Sequence, residues 1–502
     1  MNIISIIAPF KKNPNPFKMK KNLTLLTLTI CGFINICQGQ IKKIYGFPFD
    51  EANGIYHSNP QGKLVIIGNK IFGTTAYGPG SANYGYVYNY NLDSNSFSIK
   101  HEFICATESC QPVNGMVLSG GKFYGMLGQD KGGPNNNGTV YSFDSVTNTV
   151  TRLFNFNGAS EGKYAGGIVT VVGNTIYGNC LAGGSINNGG TLWQVQTNGT
   201  GFKVLHDFKG GFGYGASANG AIIFSDSILY GTTWNDGDTF NTPQPITDGT
   251  LYSFDLRTNK YTLLKKFDGS TGGKNAAPGM VLLNNILYGT CAFKGANDAG
   301  NLFSYNLNTK EFKVLHEFNV TDGSSPRGLT LNGTKLYGTT YYGGTNGHGV
   351  IYSYNTANDE FRVLDHFKHD STGAWPWDAP TIVGNMLYGT CTIGGTPGGG
   401  NEKGTIWSFK DTSIAIVNTG IEDFGNQSKV NIYPNPFKDE IKVTADHQIN
   451  EIKIISPDGK LIRIVKSNDF NANVDLTDVK PGVYFIQIYF ANSISIEKLI
   501  KM

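Results

Sequence analysis

The chain has 502 residues, of which 15% are charged, 12% are aromatic and 66 are glycine, and its formal net charge is +3. An ordinary soluble protein has about 25% charged residues and about 7% glycine, so this composition is typical of short strands joined by many turns. The aromatic content provides enough apolar surface to exclude a largely disordered chain. The cations beyond the N-terminus do not cluster, so we expect no nucleic-acid partner.

Residues 1–39 have the pattern of a signal peptide. Met19 to Asn22 is a positive segment, Leu23 to Ile36 is apolar, and Cys37 to Gly39 offers small residues for cleavage. Met19 is therefore the expected start of translation, with an upstream mis-start before it. The apolar run is too short for a membrane helix, which needs roughly 20 residues. We expect export and no membrane span in the mature chain.

A tetrapeptide of the pattern apolar-aromatic-Gly-small recurs seven times, with a period of about 50 residues. Only strand-like segments lie between these anchors, and this period is typical of β-propellers such as those of kelch repeats. The sequence therefore predicts an all-β fold, a seven-bladed β-propeller over residues 40–410. The anchor glycines are Gly73, Gly125, Gly178, Gly231, Gly289, Gly338 and Gly389.

Each repeat divides into four short strands, a to d. In the fifth repeat, strand a is Met280–Leu283, strand b is Ile286–Thr290, strand c is Asn301–Tyr305 and strand d is Phe312–Phe318. The Asn284-Asn285 pair between strands a and b predicts a two-residue hairpin turn with positive φ angles.

The seventh repeat lacks a strand d. Ile41–Phe47 aligns position for position with Phe312–Phe318, the strand d of the fifth repeat. We therefore expect the N-terminal strand of the mature chain to complete the last blade, which would remove an exposed sheet edge.

These repeats resemble the tandem GloVer repeats of exported bacterial proteins. The resemblance rests on Leu-Tyr-Gly-Thr-Thr, Gly-Gly-x-x-x-x-Gly-Thr-Leu-Tyr-Ser and Val-Leu-His-Glu-Phe pieces and covers roughly residues 41–410. It implies the repeat architecture and no particular activity.

After a linker at residues 411–428, the sequence no longer follows the pattern of the repeats. Residues 429–502 contain alternating strands, an Asp458-Gly459 turn and a Pro481-Gly482 turn, which predict a small β-sandwich. The run resembles the type A C-terminal sorting domain of the type IX secretion system. The residues that carry this resemblance include Tyr433, Pro434, Asn435, Pro436, Gly482, Tyr484 and Lys498.

That second resemblance implies a diderm bacterium and passage of the chain through the periplasm. It also implies that the secretion machinery is a partner, that the tail is removed, and that the protein is secreted or held at the outer cell surface.

Five cysteines follow the signal peptide, and an odd number cannot all be paired in disulfides. Cys105 and Cys110 close a short loop and could form a disulfide in an oxidising compartment. Cys180, Cys291 and Cys391 share one repeat position in blades that are not neighbours, so we expect buried small residues there and no metal site.

The long connections, b to c and d to a, share one end of the predicted ring, where binding sites are usually found. We expect the ligand-binding residues among the aromatic side chains of these loops. Asp236 and Asp238 are a weak candidate for Ca²⁺, because they lack the spacing of a dedicated calcium loop. No catalytic motif is present, and no cofactor is expected. The aromatic candidates are Trp234, Tyr341, Tyr342, Trp375 and Trp377.

Propeller glycosidases and lyases need paired acids or a base beside the axis. Strand a segments such as Gly115–Leu118 and Gly279–Val281 are apolar, so we expect none there. The sequence therefore favours a non-enzymatic binding or adhesion module for a glycan or protein. Two alternatives stay open, namely a carbohydrate-active enzyme (a glycosidase or lyase) that uses acids of the long-loop face, and a structural surface protein.

Overall fold

The computed structural model of the protein describes most of the chain beyond the predicted signal peptide. Its described residues form strands, turns and loops and no helix, so the fold is all-β, and none of these segments could cross a membrane as a helix. Residues 1–38 of the predicted signal peptide, which include the Met19 start, lie outside them. The described residues are 39–47, 58–77, 83–104, 110–129, 137–186, 188–209, 218, 220, 222–235, 248–269, 272–277, 279–395, 404–414, 430–456, 461–490 and 494–502.

The repeats form antiparallel four-stranded units, numbered 1 to 7 by their anchor glycines. A single parallel bridge, Lys63 to Gly115, joins units 1 and 2 into one sheet. Strand a of units 5 and 7 is interrupted and has two pieces. Strands a to d are Pro60–Ile67, Lys70–Thr75, Asn83–Asn91 and Ser96–Ile104 in unit 1; Cys110–Ser119, Lys122–Gln129, Thr139–Asp144 and Thr149–Asn155 in unit 2; Lys163–Val172, Thr175–Ala182, Thr191–Gln196 and Lys203–Asp207 in unit 3; Ile223–Ser225, Ile228–Thr233, Thr250–Asp255 and Lys260–Lys266 in unit 4; Lys274–Ala276 with Val281–Leu283, Ile286–Phe293, Asn301–Asn306 and Phe312–Glu317 in unit 5; Ser324–Asn332, Lys335–Tyr342, Val350–Asn355 and Glu360–His366 in unit 6; and Ala374–Pro376 with Thr381–Val383, Met386–Ile393 and Thr405–Lys410 as a to c in unit 7.

The fourth strand of unit 7 comes from the N-terminus. Lys42–Gly46 pairs antiparallel with Thr405–Lys410, which is the pairing that the sequence alignment predicts. The Ile41 backbone N–H donates to the Asp365 carboxylate at 2.6 Å, and the Lys43 ammonium donates to the Gly395 carbonyl. Ile41 and Phe47, at the two ends of this segment, are 3% and 2% exposed.

The anchor glycine makes room for an aromatic ring of strand c. Gly338 lies directly opposite Tyr352, and a Cβ atom on Gly338 would be 2.3 Å from the Tyr352 hydroxyl oxygen. The same contact joins Gly178 to Trp193, where the distance would be 2.2 Å. The glycine of the repeat is therefore required by ring packing inside each unit.

We expect Gly338→Ala to destabilise the protein by roughly 1–3 kcal/mol, because the added methyl group must displace a fully buried tyrosine. Gly46→Ala is the matched control, since its Cβ would meet nothing nearer than 3.8 Å. Thermal unfolding monitored by circular dichroism measures both variants. Equal melting temperatures would show that the ring does not require the glycine.

The Val-Leu-His-Glu-Phe piece connects strand d to the loop between strands b and c. The Glu317 carboxylate accepts the Ala296 N–H at 3.1 Å, and the Asp207 carboxylate accepts the Ser185 N–H at the same distance. His206 and His316 stack on the first aromatic residue of the next unit's strand d, Tyr261 and Phe361 respectively. These histidines therefore contribute to the packing between units.

Consecutive units pack face to face through apolar clusters, and unit 7 packs on unit 1 in the same way. The Phe72–Phe123 contact represents the cluster between units 1 and 2, and Tyr388 of unit 7 lies in one cluster with Tyr88 of unit 1. The remaining clusters join units 2 and 3, 3 and 4, 4 and 5, 5 and 6, and 6 and 7. The series of contacts between units is therefore closed.

The C-terminal residues form a separate five-stranded sheet with its own core. The first part of its long second strand pairs with the first strand and the second part pairs with the fourth. The core includes Phe437, Ile452 and Leu499. The strands are Val430–Tyr433, Glu440–Ile455, Leu461–Asp475, Gly482–Phe490 and Ile494–Lys501.

Candidate functional site

One position of strand a is fixed by a hydrogen bond from the preceding unit. The Thr290 hydroxyl donates to the Arg327 carbonyl at 2.9 Å, and the Thr339 hydroxyl donates to the Asp378 carbonyl at 3.0 Å. Most of the other units have glycine at this position, so a charged residue occurs there only in units 6 and 7. The described occupants in chain order are Gly62, Asn114, Gly167, Gly220, Arg327 and Asp378.

Lys63 follows this position in unit 1 and brings a third charge to the cluster. The Lys63 backbone N–H donates to the Asp378 carboxylate, and the same carboxylate accepts the Ala379 N–H at 2.7 Å. Arg327 of unit 6, Asp378 of unit 7 and Lys63 of unit 1 thus come from consecutive units. We call these three residues the charged cluster.

Burial has the largest effect on the pKa values of the three residues of the charged cluster. Burial raises the pKa of Asp378 to about 6, although Lys63 and Arg327 both act to lower it. Burial also lowers the pKa of Lys63 and of Arg327. All three residues nevertheless keep part of their surface accessible to solvent. Such side chains, desolvated by many neighbours and still accessible, are typical of the lining of a pocket.

Aromatic side chains surround the guanidinium group of Arg327. Its central carbon lies 4.6 Å from the ring centroid of Tyr341 and 5.0 Å from that of Trp377. Tyr341 in turn stacks on Trp375, with centroids 5.6 Å apart and an interplanar angle of 20°. The Trp377 indole N–H donates to the Asn114 side-chain oxygen at 3.3 Å, which joins units 7 and 2.

Trp375 has a strained backbone conformation. Its φ is +59°, in the left-handed region that a bulky residue rarely adopts. Trp375 precedes the strand a residue that pairs with the second residue after the anchor glycine. The equivalent residue also has a positive φ in every other unit in which it is described, and these residues are Asn59, Gln111, Tyr164, Asn275 and Ser325. The left-handed conformation is therefore a feature of the repeat. A bulky side chain such as that of Trp375 or Tyr164 adopts it at a backbone cost of about 1–3 kcal/mol.

The charged cluster and these rings can together hold a ligand with a flat apolar face and polar groups. Tyr342, which contacts both Tyr341 and Trp375, is 45% exposed, so the aromatic group reaches solvent. Arg327 and Lys63 supply donors, and Asp378 supplies an acceptor. Ligand pockets usually combine aromatic walls with a few placed polar groups.

Comparison with protein families identifies the repeats. The model of the Gloeobacter/Verrucomicrobia repeat matches residues 34–243 and 239–433. The chain belongs to this repeat family. The model of the secretion system C-terminal sorting domain matches residues 431–502, so this member of the family is exported through type IX secretion to the cell surface or the extracellular space.

Solved structures give only distant similarities, and no curated protein matches the chain. Tricorn protease is 11% identical with a TM-score of 0.36, and the match covers 88% of this chain and 44% of that one. The extracellular domain of a putative hybrid two-component system from B. thetaiotaomicron is 10% identical with a TM-score of 0.45, covering 92% and 59%. A prolyl endopeptidase is 11% identical with a TM-score of 0.43, covering 80% and 57%. The chain thus spans about half the length of these proteins.

The structure brings together most of the aromatic residues that the sequence predicts as ligand-binding. Tyr341, Tyr342, Trp375 and Trp377 form one connected group, in units 6 and 7 of this repeat-family member. Trp234 does not join them, because its ring contacts Phe293 edge-on at 6.0 Å, in units 4 and 5. The weak Ca²⁺ candidates Asp236 and Asp238 lie outside the described residues.

Ionisable residues do occur at strand a in units 1, 6 and 7, outside the apolar segments Gly115–Leu118 and Gly279–Val281 in which we expect no paired acids. Lys63 and Arg327 lie within strand a, and Asp378 lies between the two pieces of strand a in unit 7. The charged cluster could have been found by aligning all repeats on their anchor glycines, since Arg327 and Asp378 both stand eleven residues before them, where three other units have glycine.

The cysteines include one that is oxidised. Cys110 forms a disulfide, and Cys105, its predicted partner, lies outside the described residues. Cys180, Cys291 and Cys391 are free and fully buried, as predicted for small core residues. The described part of the chain contains no group of three or more His, Cys, Asp or Glu side chains that could hold a metal ion.

The residues that carry the sorting-domain resemblance lie around the last strand of the C-terminal sheet. The Asn435 side-chain oxygen accepts the Ile500 N–H at 2.9 Å, and the Tyr484 hydroxyl donates to the Lys480 carbonyl at 2.8 Å. Tyr433 ends the first strand, followed by Pro434 and Pro436 in the turn, while Gly482 begins the fourth strand and Lys498 pairs with Phe485. Asn435 therefore holds the terminal strand through its side chain, while Gly482, Tyr484 and Lys498 lie in the strand pair that the terminal strand forms.

Proposed function

We propose that units 1 to 7 form a seven-bladed β-propeller closed by the N-terminal strand. The support is the closed series of apolar clusters between units and the antiparallel pairing of Lys42–Gly46 with the last repeat. We assign residues 40–410 to the propeller, 411–428 to a linker and 429–502 to a β-sandwich sorting domain. Packing of the propeller continues to Asp411, whose carboxylate accepts the Tyr337 hydroxyl at 2.7 Å.

We further propose that the propeller is a non-enzymatic module that binds an extracellular glycan. The observation that carries this function is the Tyr341–Trp375 stack beside the charged cluster, at the inner strands of consecutive blades. A sugar ring presents apolar C–H groups on its faces and hydroxyl groups on its rim. Aromatic faces and charged donors and acceptors match these two features.

The side chain at position 375 is compatible with the same proposal. The equivalent positions of the other described units have the same left-handed backbone with different side chains, so the repeat does not require a tryptophan there. A ligand that contacts the ring would explain why Trp375 is present. A purely structural surface protein, the third candidate, gives no such reason.

A carbohydrate-active enzyme is the second candidate, and Asp378 is the observation that favours it. A carboxyl group with a pKa of about 6 could act as a general acid near neutral pH. Most glycosidases, however, need two carboxyl groups about 5–10 Å apart. The charged cluster, in the described part of the chain, contributes one carboxylate, so binding without turnover remains the better-supported function.

The test is a binding screen of the mature chain, residues 40–502, on immobilised extracellular polysaccharides, with chromatography of the soluble products. We expect saturable binding to at least one polysaccharide and no new reducing ends. Turnover that is lost in Asp378→Asn would establish the enzyme instead. Failure to bind any glycan would reject the proposed function and leave a protein ligand or a structural role.

A further inference from the structure

The charged cluster has an excess of positive charge. Lys63 and Arg327 are two cations, and Asp378 is the carboxylate that acts on both of them. The other groups that act on Arg327 are the hydroxyls of Tyr341 and Tyr342, neither of which is a carboxylate. Among the described residues the cluster therefore has one more cation than anions, in surroundings that disfavour charge.

Arg327 is also incompletely satisfied. Its Nε atom is buried and has no hydrogen-bond partner among the described residues. Two aromatic rings hold the plane of the guanidinium group, through the contacts to Tyr341 and Trp377. A buried donor without a partner costs about 1–3 kcal/mol or more when it is charged, so an anion that reached it would gain that amount.

We infer that the ligand of this site is an acidic glycan, whose carboxylate or sulfate lies between Arg327 and Lys63 while its sugar ring lies against Trp375 and Tyr341. This inference rests on the proposed glycan-binding function and adds the charge of the ligand. The fork of the Arg327 guanidinium fits a carboxylate or a sulfate oxygen pair. The aromatic group extends from the cluster to the exposed Tyr342 ring, so a sugar and its acidic group can be in contact at the same time.

The experiment compares the mature chain and its variants on three matched sets of oligosaccharides. The first set contains uronic-acid oligosaccharides, the second contains the same oligosaccharides with each carboxylate reduced to an alcohol, and the third contains sulfated galactans. Affinity is measured by titration calorimetry at pH 7.5. We expect Kd to be at least 10-fold lower for the first or third set than for the neutral second set, and which of the two binds identifies the anion.

Single substitutions test whether Arg327 and Lys63 bind the acidic group of the ligand. Arg327→Gln and Lys63→Gln should each weaken binding of the acidic ligand roughly 10-fold to 100-fold, the usual value of a lost charge-assisted hydrogen bond. Lys260→Gln removes the same charge from an exposed strand d residue and should change Kd less than 2-fold. Two separate variants keep the test valid if one of them fails to fold, and circular dichroism reports that.

The outcomes separate this inference from the proposed function. Equal binding of the acidic and the reduced oligosaccharides, or no effect of either cation variant on acidic-ligand binding, would overturn the inference and leave glycan binding intact. No binding of any oligosaccharide would overturn both.

Discussion

Replacing Phe47 by alanine is expected to lower the melting temperature of the protein by roughly 5–10 °C. Phe47 is 2% exposed and contacts Tyr88 and Phe97 of unit 1, with ring centroids 5.3 and 5.7 Å away. Together with Tyr45, which stacks on Phe97 at 4.4 Å, it packs the N-terminal segment on the neighbouring unit. Removing a buried phenylalanine side chain costs about 3–5 kcal/mol, and each kcal/mol lowers the melting temperature by a few degrees at most in a large domain.

The control for this prediction is Lys42→Ala, an exposed residue of the same strand whose replacement should leave the melting temperature unchanged. A chain that begins after Phe47 should lose still more stability than Phe47→Ala, because unit 7 then has an unpaired edge at Thr405–Lys410. Differential scanning calorimetry compares the four proteins. A truncated chain as stable as the wild type would refute closure by the N-terminal strand.

The second large effect is on binding. Trp375→Asn should weaken glycan affinity by roughly 30-fold, since an aromatic side chain at the centre of a binding site commonly contributes about 2 kcal/mol or more. The melting temperature should change by only a few degrees. Asparagine relieves the left-handed strain at φ +59°, and this gain of about 1 kcal/mol or more offsets a lost aromatic stack of similar value.

Trp234→Ala is the matched control for binding, because this tryptophan is also partly exposed and lies on Phe293, outside the aromatic group of units 6 and 7. Its affinity should equal that of the wild type. If Trp375→Asn binds normally while Trp234→Ala does not, the ligand binds at units 4 and 5 and the proposed site at units 6 and 7 is wrong.

Much of the fold could be predicted from the sequence because the same local interactions recur in every repeat. The anchor glycine makes room for a ring in every unit, and Asn284 and Asn285 have the positive φ angles, 51° and 60°, that the hairpin turn requires. The N-terminal strand was predictable for the same reason, since Ile41–Phe47 carries the strand d pattern. The interruption of strand a in units 5 and 7 was not predicted, although each gap contains a proline, Pro278 or Pro380, which cannot donate a ladder hydrogen bond.

The site was only half predictable. Aromatic residues in Gly-rich loops are visible in the sequence, but their mutual contacts depend on which units are neighbours in space. Lys63, Arg327 and Asp378 were missed because a single charged residue usually marks a solvated face, and only the packing of unit 7 on unit 1 brings them together. These residues are distinguished by the burial that shifts their pKa values, and burial is a property of the folded protein.

The most direct test of the proposed binding site is a crystal structure of the mature chain with an oligosaccharide selected in the binding screen. We predict an intact sugar ring against Trp375 and Tyr341, with its polar groups at Arg327 and Lys63. An oligosaccharide bound elsewhere, or cleaved at Asp378, would contradict a non-enzymatic binding site at the inner strands of these units.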